Sequence, residues 1–136
     1  WCEGRENAIL VASLGVKRYL SAMEKAALVA GNSSSGVVET PTFGVPAVNI
    51  GQRQAGRLLC ANVLCCPADA PAIEEALRTA LTPAFAARAR TARSPYNGGD
   101  TSGKICRVLR RFDFACCKTF YDGPVPEFDP QRSVFE

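Results

Sequence analysis

The chain has 136 residues, of which 47% are hydrophobic and 21% charged, and its net charge is +3 at neutral pH. This composition is that of a globular protein and excludes a disordered chain. The basic residues are spread along the chain apart from a small group at Arg107, Arg110 and Arg111, so no nucleic-acid partner is predicted. No apolar run approaches the roughly 20 residues of a membrane span, so no membrane association is expected either.

Histidine is absent, and the seven cysteines include the adjacent pairs Cys65-Cys66 and Cys116-Cys117. Without histidine or a C-x-x-C spacing, a zinc site lacks ligands, and we expect neither a metal nor a cofactor. The cysteines are interpreted as small buried hydrophobes in a reducing cytosol, which predicts a cytoplasmic protein. The sequence begins at Trp1 without a secretory signal pattern, which suggests a piece of a longer chain.

Apolar runs and helical periodicities alternate over the first 50 residues. Asn7–Ala12 and Ala26–Ala30 predict two buried strands, and Val16–Lys25 between them predicts an amphipathic helix. A second helix, from Ser34 to about Phe43, should be short or kinked, because the proline at position 41 cannot donate a backbone hydrogen bond.

The same alternation continues to residue 112. Pro46–Ile50 and Ala61–Cys66 predict two further strands, and Asp69 and Pro83 mark the starts of two helices. A turn-rich loop follows, and a last helix is capped by Asp100 or Thr101. Its inward face is predicted from three apolar residues, Ile105, Val108 and Leu109. Residues 1–112 are expected to form the domain, and residues 113–136 an extended C-terminal tail.

The order β-α-β-α-β-β-α-α-α predicts a three-layer α/β domain with a parallel sheet. Ligands of such sheets bind beyond the carboxyl ends of the strands. Three informative segments are predicted at that edge: Ser13–Gly15, Asn32–Gly36 and Gly51–Arg57. Their convergence is a stronger indication of a ligand site than any one of them.

The turn Gly31–Gly36 has the composition of a phosphate-binding turn. Its small residues let an anion approach the backbone, and a helix start offers unpaired N–H groups to it. Ser33, Ser34 and Ser35 add hydroxyl donors. The alternative is that the serines only cap a helix.

Three charged residues bear on this turn. Glu39 lies one helical turn after Ser35, where a carboxylate can accept hydrogen bonds from both hydroxyls of a ribose; otherwise it is a solvated helix residue. Arg53 is the preferred phosphate partner, ahead of Arg57 in the same loop. The alternative for both arginines is simple solvation.

Several motifs together carry a resemblance to a known family. They are Ser13-Leu14-Gly15, Tyr19-Leu20-Ser21, Gly31–Gly36 with Glu39, Phe43–Pro46, Val48–Gly51, Arg53-Gln54, Gly56-Arg57, and Ser94-Pro95-Tyr96 with Gly98 and Gly99. In this order, over about residues 7–112, the chain resembles the hydrolysing UDP-N-acetylglucosamine 2-epimerases of sialic-acid biosynthesis.

The resemblance implies a fold and a set of contacts. The fold is of the glycosyltransferase-B type, with two Rossmann-like domains around a cleft, and this chain would be most of the C-terminal, UDP-binding one. By position, Ser33 and Ser34 would hold phosphate, with Ser35 and Gly36 beside them. Glu39 would hold the ribose, Arg53 the diphosphate, and Ser13 and Leu14 would lie near the uridine.

The resemblance also implies a reaction: UDP is eliminated from UDP-N-acetylglucosamine and the intermediate is hydrated to N-acetylmannosamine. The catalytic residues are expected upstream of Trp1, in a missing N-terminal domain, so this chain would be inactive alone. Two alternatives stay open: the donor domain of a nucleotide-sugar glycosyltransferase, and a stand-alone nucleotide- or protein-binding module. An uncovered domain face would favour a homo-oligomer.

Overall fold

The computed structural model describes residues 1–112 and Gly123. In chain order the elements are α1 (Gly15–Lys25), β1 (Val29–Gly31), α2 (Ser35–Val38), α3 (Thr40–Phe43), β2 (Ala47–Ile50), β3 (Val63–Cys66), α4 (Ala70–Ala80), α5 (Pro83–Thr91) and α6 (Thr101–Arg111). The chain divides into two compact units, Trp1–Thr101 and Ser102–Glu136. The first unit holds the sheet and helices α1 to α5. None of the described helices has the length and apolarity needed to cross a membrane.

The three strands form a parallel sheet in the order β1-β2-β3. The register pairs Val48 with Ala30 on one side and with Leu64 on the other. Since parallel strands point the same way, all three end at one edge, which we name the carboxyl edge. The predicted α/β class with a Rossmann-like parallel sheet is thereby confirmed, whereas the second half of a glycosyltransferase-B fold remains an expectation.

The main core lies between the sheet and helices α4 and α5. Val48 and Cys66 of the sheet are buried with Ala76, Ala80 and Phe85 of the two helices. Around them pack six partly buried residues: Leu28, Ile50, Leu64, Ala72, Ile73 and Leu77. Alternate strand residues share one face of a sheet, which is why Val48 and Ile50 reach the same helices. Helix α2 contacts β1 and β2, with Val37 completely buried.

A buried polar network attaches helices α2 and α3 to the sheet. The Asn62 side chain, 0% exposed, donates to Thr40 Oγ1 at 2.9 Å and to the Val45 carbonyl at 2.7 Å. Thr40 Oγ1 in turn donates to the Gly36 carbonyl at 2.8 Å. The backbone carbonyl of Asn62 accepts a hydrogen bond from Ala47 N, at the start of β2, at 2.8 Å. One asparagine therefore fixes where β2 begins and where the turn before α2 lies.

The predicted first strand, Asn7–Ala12, is wrong. These residues form no strand, and Ile9 and Leu10 are 86% and 84% exposed. A strand is stable only when a neighbouring strand pairs with its N–H and C=O groups. Within the described part of the chain no strand pairs with this segment. The segment has the apolar sequence of a strand, but among the described residues it has no neighbouring strand to pair with.

The other predicted elements hold, with some shifts in their ends. The first predicted helix is α1, while the strand predicted at Ala26–Ala30 is the shorter β1, displaced toward Gly31. The predicted kink is confirmed, because the helix breaks at Glu39 into α2 and α3. Asp69 caps α4 by accepting from Ala72 N at 3.0 Å, and Pro83 begins α5.

The last helix, α6, forms as predicted, but its apolar stripe is not buried. Ile105 and Leu109 are 53% and 51% exposed, and none of the described residues of α6 is buried. Helical periodicity identifies an amphipathic helix but does not say what its apolar stripe packs against. The predicted tail, residues 113–136, lies outside the described residues except for Gly123.

The two adjacent cysteines of β3 differ in environment. Cys65 is exposed and Cys66 is buried, because successive strand residues face opposite sides of the sheet. Burial raises the pKa of the Cys66 thiol, and the nearby Asp69 and Cys65 raise it further. The expectation of cysteines as small buried hydrophobes fits Cys60 and Cys66 and fails for the exposed Cys65 and Cys106.

Replacing Asn62 by alanine should destabilise the fold by about 1–3 kcal/mol, because the buried Val45 carbonyl loses its hydrogen-bond donor. The measurement is urea denaturation followed by circular dichroism. The exposed Asn7→Ala serves as the matched control and should change stability by less than about 0.5 kcal/mol. Equal effects of the two substitutions would show that the Asn62 network does not hold the fold.

In the folded protein at pH 8, iodoacetamide should modify Cys65 severalfold faster than Cys66, because Cys65 is exposed, whereas burial shields Cys66 and raises the pKa of its thiol. Peptide mass spectrometry after timed labelling measures the two rates. In urea the two rates should become similar. Faster labelling of Cys66 in the native protein would contradict the burial described for it.

Candidate functional site

The turn between β1 and α2 presents unpaired donors at the carboxyl edge. Gly31 ends β1 with a φ of 151°, which favours glycine. Ser33 Oγ accepts from Ser35 N at 3.4 Å, and the Ser34 carbonyl accepts from Val37 N and Val38 N at 2.9 and 2.8 Å. Within the described residues the N–H groups of Ser33 and Ser34 have no acceptor.

Helix α2 is too short to act mainly through its dipole. It has four residues, Ser35–Val38, so few peptide dipoles are aligned toward the turn. An anion at this turn would therefore be held by individual N–H groups and hydroxyls.

The loop after β2 lies against this turn. Arg53 and Arg57 are exposed, whereas Gln54 between them is only 5% exposed. Gln54 Nε2 donates to the Asn32 carbonyl at 2.8 Å. This bond joins the serine turn to the arginine loop, so two of the three segments predicted at the carboxyl edge are brought together.

Glu39 lies at the junction of α2 and α3, half-buried, and lines an open cavity of about 380 Å³. Its other lining residues are Leu20, Val38, Thr42, Phe43, Ser94, Tyr96 and Asn97. Glu39 Oε2 is buried and has no hydrogen-bond partner among the described residues. Because a buried carboxylate oxygen without a partner is costly, a donor entering this cavity would be bound favourably.

Two hydrogen bonds hold the loop that contains Tyr96, which forms one wall of the cavity. Tyr96 Oη donates to the Leu58 carbonyl at 2.9 Å, and Cys60 Sγ donates to the Arg93 carbonyl at 3.0 Å. Both bonds attach the loop that contains Tyr96 to the segment before β3. The cavity wall is therefore fixed to the same stretch of chain that carries the arginines.

The third predicted segment, Ser13–Gly15, is not at the end of a strand. Ser13 and Leu14 are exposed and precede α1, and the Ser13 hydroxyl makes a local bond by accepting from Gly15 N at 3.3 Å. Its predicted position depended on a strand at Asn7–Ala12. The structure therefore supplies no strand end to carry these two residues to the carboxyl edge.

Sequence reasoning did not single out Gln54, Ser94, Tyr96 or Asn97 as site residues. Gln54 sits in a polar loop between two arginines, where an exposed side chain is the default expectation. In the sequence, the segment around Tyr96 carries only a family resemblance and the composition of a turn-rich loop. No pattern in one sequence says that a loop glutamine is buried or that a distant tyrosine closes a cavity.

The comparisons with known proteins agree on one family. The family model described as UDP-N-acetylglucosamine 2-epimerase matches residues 2–110. A Campylobacter jejuni protein named GDP/UDP-N,N'-diacetylbacillosamine 2-epimerase (hydrolyzing) is 45% identical over 65 residues, which are 47% of this chain and 17% of that protein.

Two further relatives extend over more of the chain. The Escherichia coli polysialic acid biosynthesis protein P7 is 30% identical over 118 residues, 82% of this chain and 29% of its own length. A UDP-N-acetylglucosamine 2-epimerase of Neisseria meningitidis serogroup B is 29% identical over 96 residues, which are 71% of this chain and 24% of that protein. The chain thus spans less than a third of each relative. With the family model matching most of its residues, it belongs to the UDP-N-acetylglucosamine 2-epimerase family.

Proposed function

We propose that this chain is the UDP-binding part of a hydrolysing UDP-N-acetylglucosamine 2-epimerase. The observation that carries the proposal is the hydrogen bond from Gln54 to Asn32, which joins the serine turn to the arginine loop at the carboxyl edge. Nucleotide ligands of parallel sheets bind at such an edge. Family membership over residues 2–110 supports the same function.

The diphosphate would lie over the serine turn. The N–H groups of Ser33 and Ser34, which have no acceptor among the described residues, would supply donors together with the hydroxyls of the three serines. Arg53 would supply a positive charge. The chain itself does not need a glycine at position 36, since a Cβ there would meet no atom within 4 Å. Room left open at Gly36 is what the close approach of a phosphate requires.

The ribose would bind at Glu39. Two vicinal hydroxyls are donors of the right spacing for one carboxylate, and they would satisfy the buried Oε2 that has no partner in the described residues. The cavity in front of Glu39 offers apolar walls, including Leu20, Phe43 and Tyr96. Ser13 and Leu14 remain proposed neighbours of the uridine on the family pattern alone.

In the proposed reaction the C1–O bond to the β-phosphate breaks while C2 loses its proton, which releases UDP and leaves an unsaturated sugar. Water then adds at C1 and a proton returns to C2 on the opposite face, giving N-acetylmannosamine. The leaving UDP gains negative charge, and the donors of the serine turn with Arg53 would stabilise that charge as it develops. Removing one such donor typically lowers a rate by about 10²–10³.

The proton transfers are assigned to residues outside this chain, in an N-terminal domain that would close the cleft. Two relatives are named for different sugars, N,N'-diacetylbacillosamine and N-acetylglucosamine. We therefore propose that residues other than those that bind the nucleotide select the sugar. The Escherichia coli relative named for polysialic acid biosynthesis supports a role in supplying a sialic-acid precursor.

The 136-residue chain should bind UDP weakly, because only part of the cleft is present. Glu39→Gln should weaken binding about three- to tenfold, since a neutral amide accepts ribose hydroxyls less strongly than a carboxylate. Arg53→Ala should weaken it by about tenfold or more through the lost charge-assisted hydrogen bond to phosphate. Isothermal titration calorimetry measures all three affinities.

Arg57→Ala is the matched control, because it removes the same charge from an exposed position of the same loop. It should weaken UDP binding by less than about threefold, as expected for a solvated surface charge. Wild-type protein without measurable UDP binding would contradict the proposed function. Equal losses for the two arginines would instead contradict the assignment of Arg53.

A further inference from the structure

We infer that Gln54 is a positioning residue for phosphate binding: its side-chain amide holds the Asn32–Ser33 peptide so that the Ser33 N–H faces the ligand. This inference rests on the proposed function, which makes the Ser33 N–H a phosphate donor. It assigns a role to a side chain that need not touch the nucleotide at all.

The side chain is unusual for its place in the sequence. Gln54 is 5% exposed, although it lies in a turn-rich loop and its neighbours Arg53 and Ala55 are exposed. Its Nε2 donates at 2.8 Å to a carbonyl 22 residues away in the chain. Its Oε1 is buried and has no partner among the described residues. Burying this polar side chain has a cost that the single bond to Asn32 must offset.

The bond acts on one peptide unit. The carbonyl of Asn32 and the N–H of Ser33 belong to the same planar group, and in a trans peptide they point in opposite directions. The structure has no cis peptide bonds among the described residues. When Gln54 holds the Asn32 carbonyl on the protein side, the Ser33 N–H is therefore directed to the other side, where an anion can reach it.

The loop that carries Gln54 is itself held at several points. Gly51 N donates to the Cys66 carbonyl at 2.8 Å, and Ala55 N and Arg57 N donate to carbonyls within the loop at 2.9 and 3.2 Å. A loop fixed in this way can keep a turn of small residues in one conformation. Donors that are oriented before the ligand arrives bind it without an ordering cost.

The test compares UDP with uridine, which lacks the phosphates. Gln54→Glu keeps the shape of the side chain but replaces the donor facing the Asn32 carbonyl with an acceptor. It should weaken UDP binding about three- to tenfold, as the loss of one hydrogen bond predicts, and leave uridine binding unchanged. Gln54→Met, which is uncharged and of similar length, should have the same selective effect. NMR titration of the 136-residue chain measures both ligands.

The matched control is Gln52→Glu, which adds the same charge to the same loop at an exposed position. It should change UDP affinity by less than about twofold, as expected for a surface charge. Thermal unfolding of each variant shows whether it is folded. If both Gln54 variants unfold, or if their affinity for uridine falls as much as their affinity for UDP, the role of Gln54 is structural and the inference is wrong.

The failure of this inference differs from the failure of the proposed function. If Glu39→Gln and Arg53→Ala weaken UDP binding while the Gln54 variants bind like the wild type, only the role of Gln54 is overturned. If the wild type does not bind UDP, the proposed function falls and this inference falls with it.

Discussion

The proposed site depends on the buried side chain of Asn62. Its amide holds Thr40 and the Val45 carbonyl, and through Thr40 it holds the Gly36 carbonyl at the start of α2. Helices α2 and α3 are only four residues each and could not keep their position by helical propensity alone. The serine turn and Glu39 are therefore placed by a polar contact in the interior of the protein.

A second contact, from Gln54 to Asn32, reaches the same turn from the loop after β2. Asn62 fixes the end of the turn nearest α2, and Gln54 fixes the end nearest β1. Between these two contacts lie Ser33 and Ser34, whose N–H groups have no acceptor in the described part of the chain. A short turn held at both ends, with unused donors in the middle, is a suitable arrangement for binding an anion.

Much of the fold could be predicted from the sequence because local signals were strong. The Val-rich run before Gly51, the cap at Asp69 and the proline at position 83 each determine an element by local physics. The strand predicted at Asn7–Ala12 does not form, because a strand needs a neighbouring strand, and a single sequence does not show whether one is present. The prediction that the apolar stripe of α6 is buried was wrong for a similar reason, since periodicity does not identify a packing partner.

The candidate site was predictable where composition carries the chemistry. A serine-rich turn and an arginine loop after successive strands indicate an anion site, and the structure joins them. The family match adds the nucleotide hypothesis, with Glu39 at a cavity that has room for part of a nucleoside. The buried amides of Gln54 and Asn62 could not be predicted, because burial of a polar loop residue depends on contacts far along the chain.

The central claim is that UDP binds at the carboxyl edge of the sheet, over the serine turn. Backbone amide chemical shifts of the isotope-labelled chain, recorded during a titration with UDP, test this claim residue by residue. We expect the largest shifts on residues 32–36, near Glu39 and on residues 51–57. Another cavity, lined by Glu24, Pro46 and Arg90, lies near the amino ends of the strands, and shifts confined to it would contradict the claim.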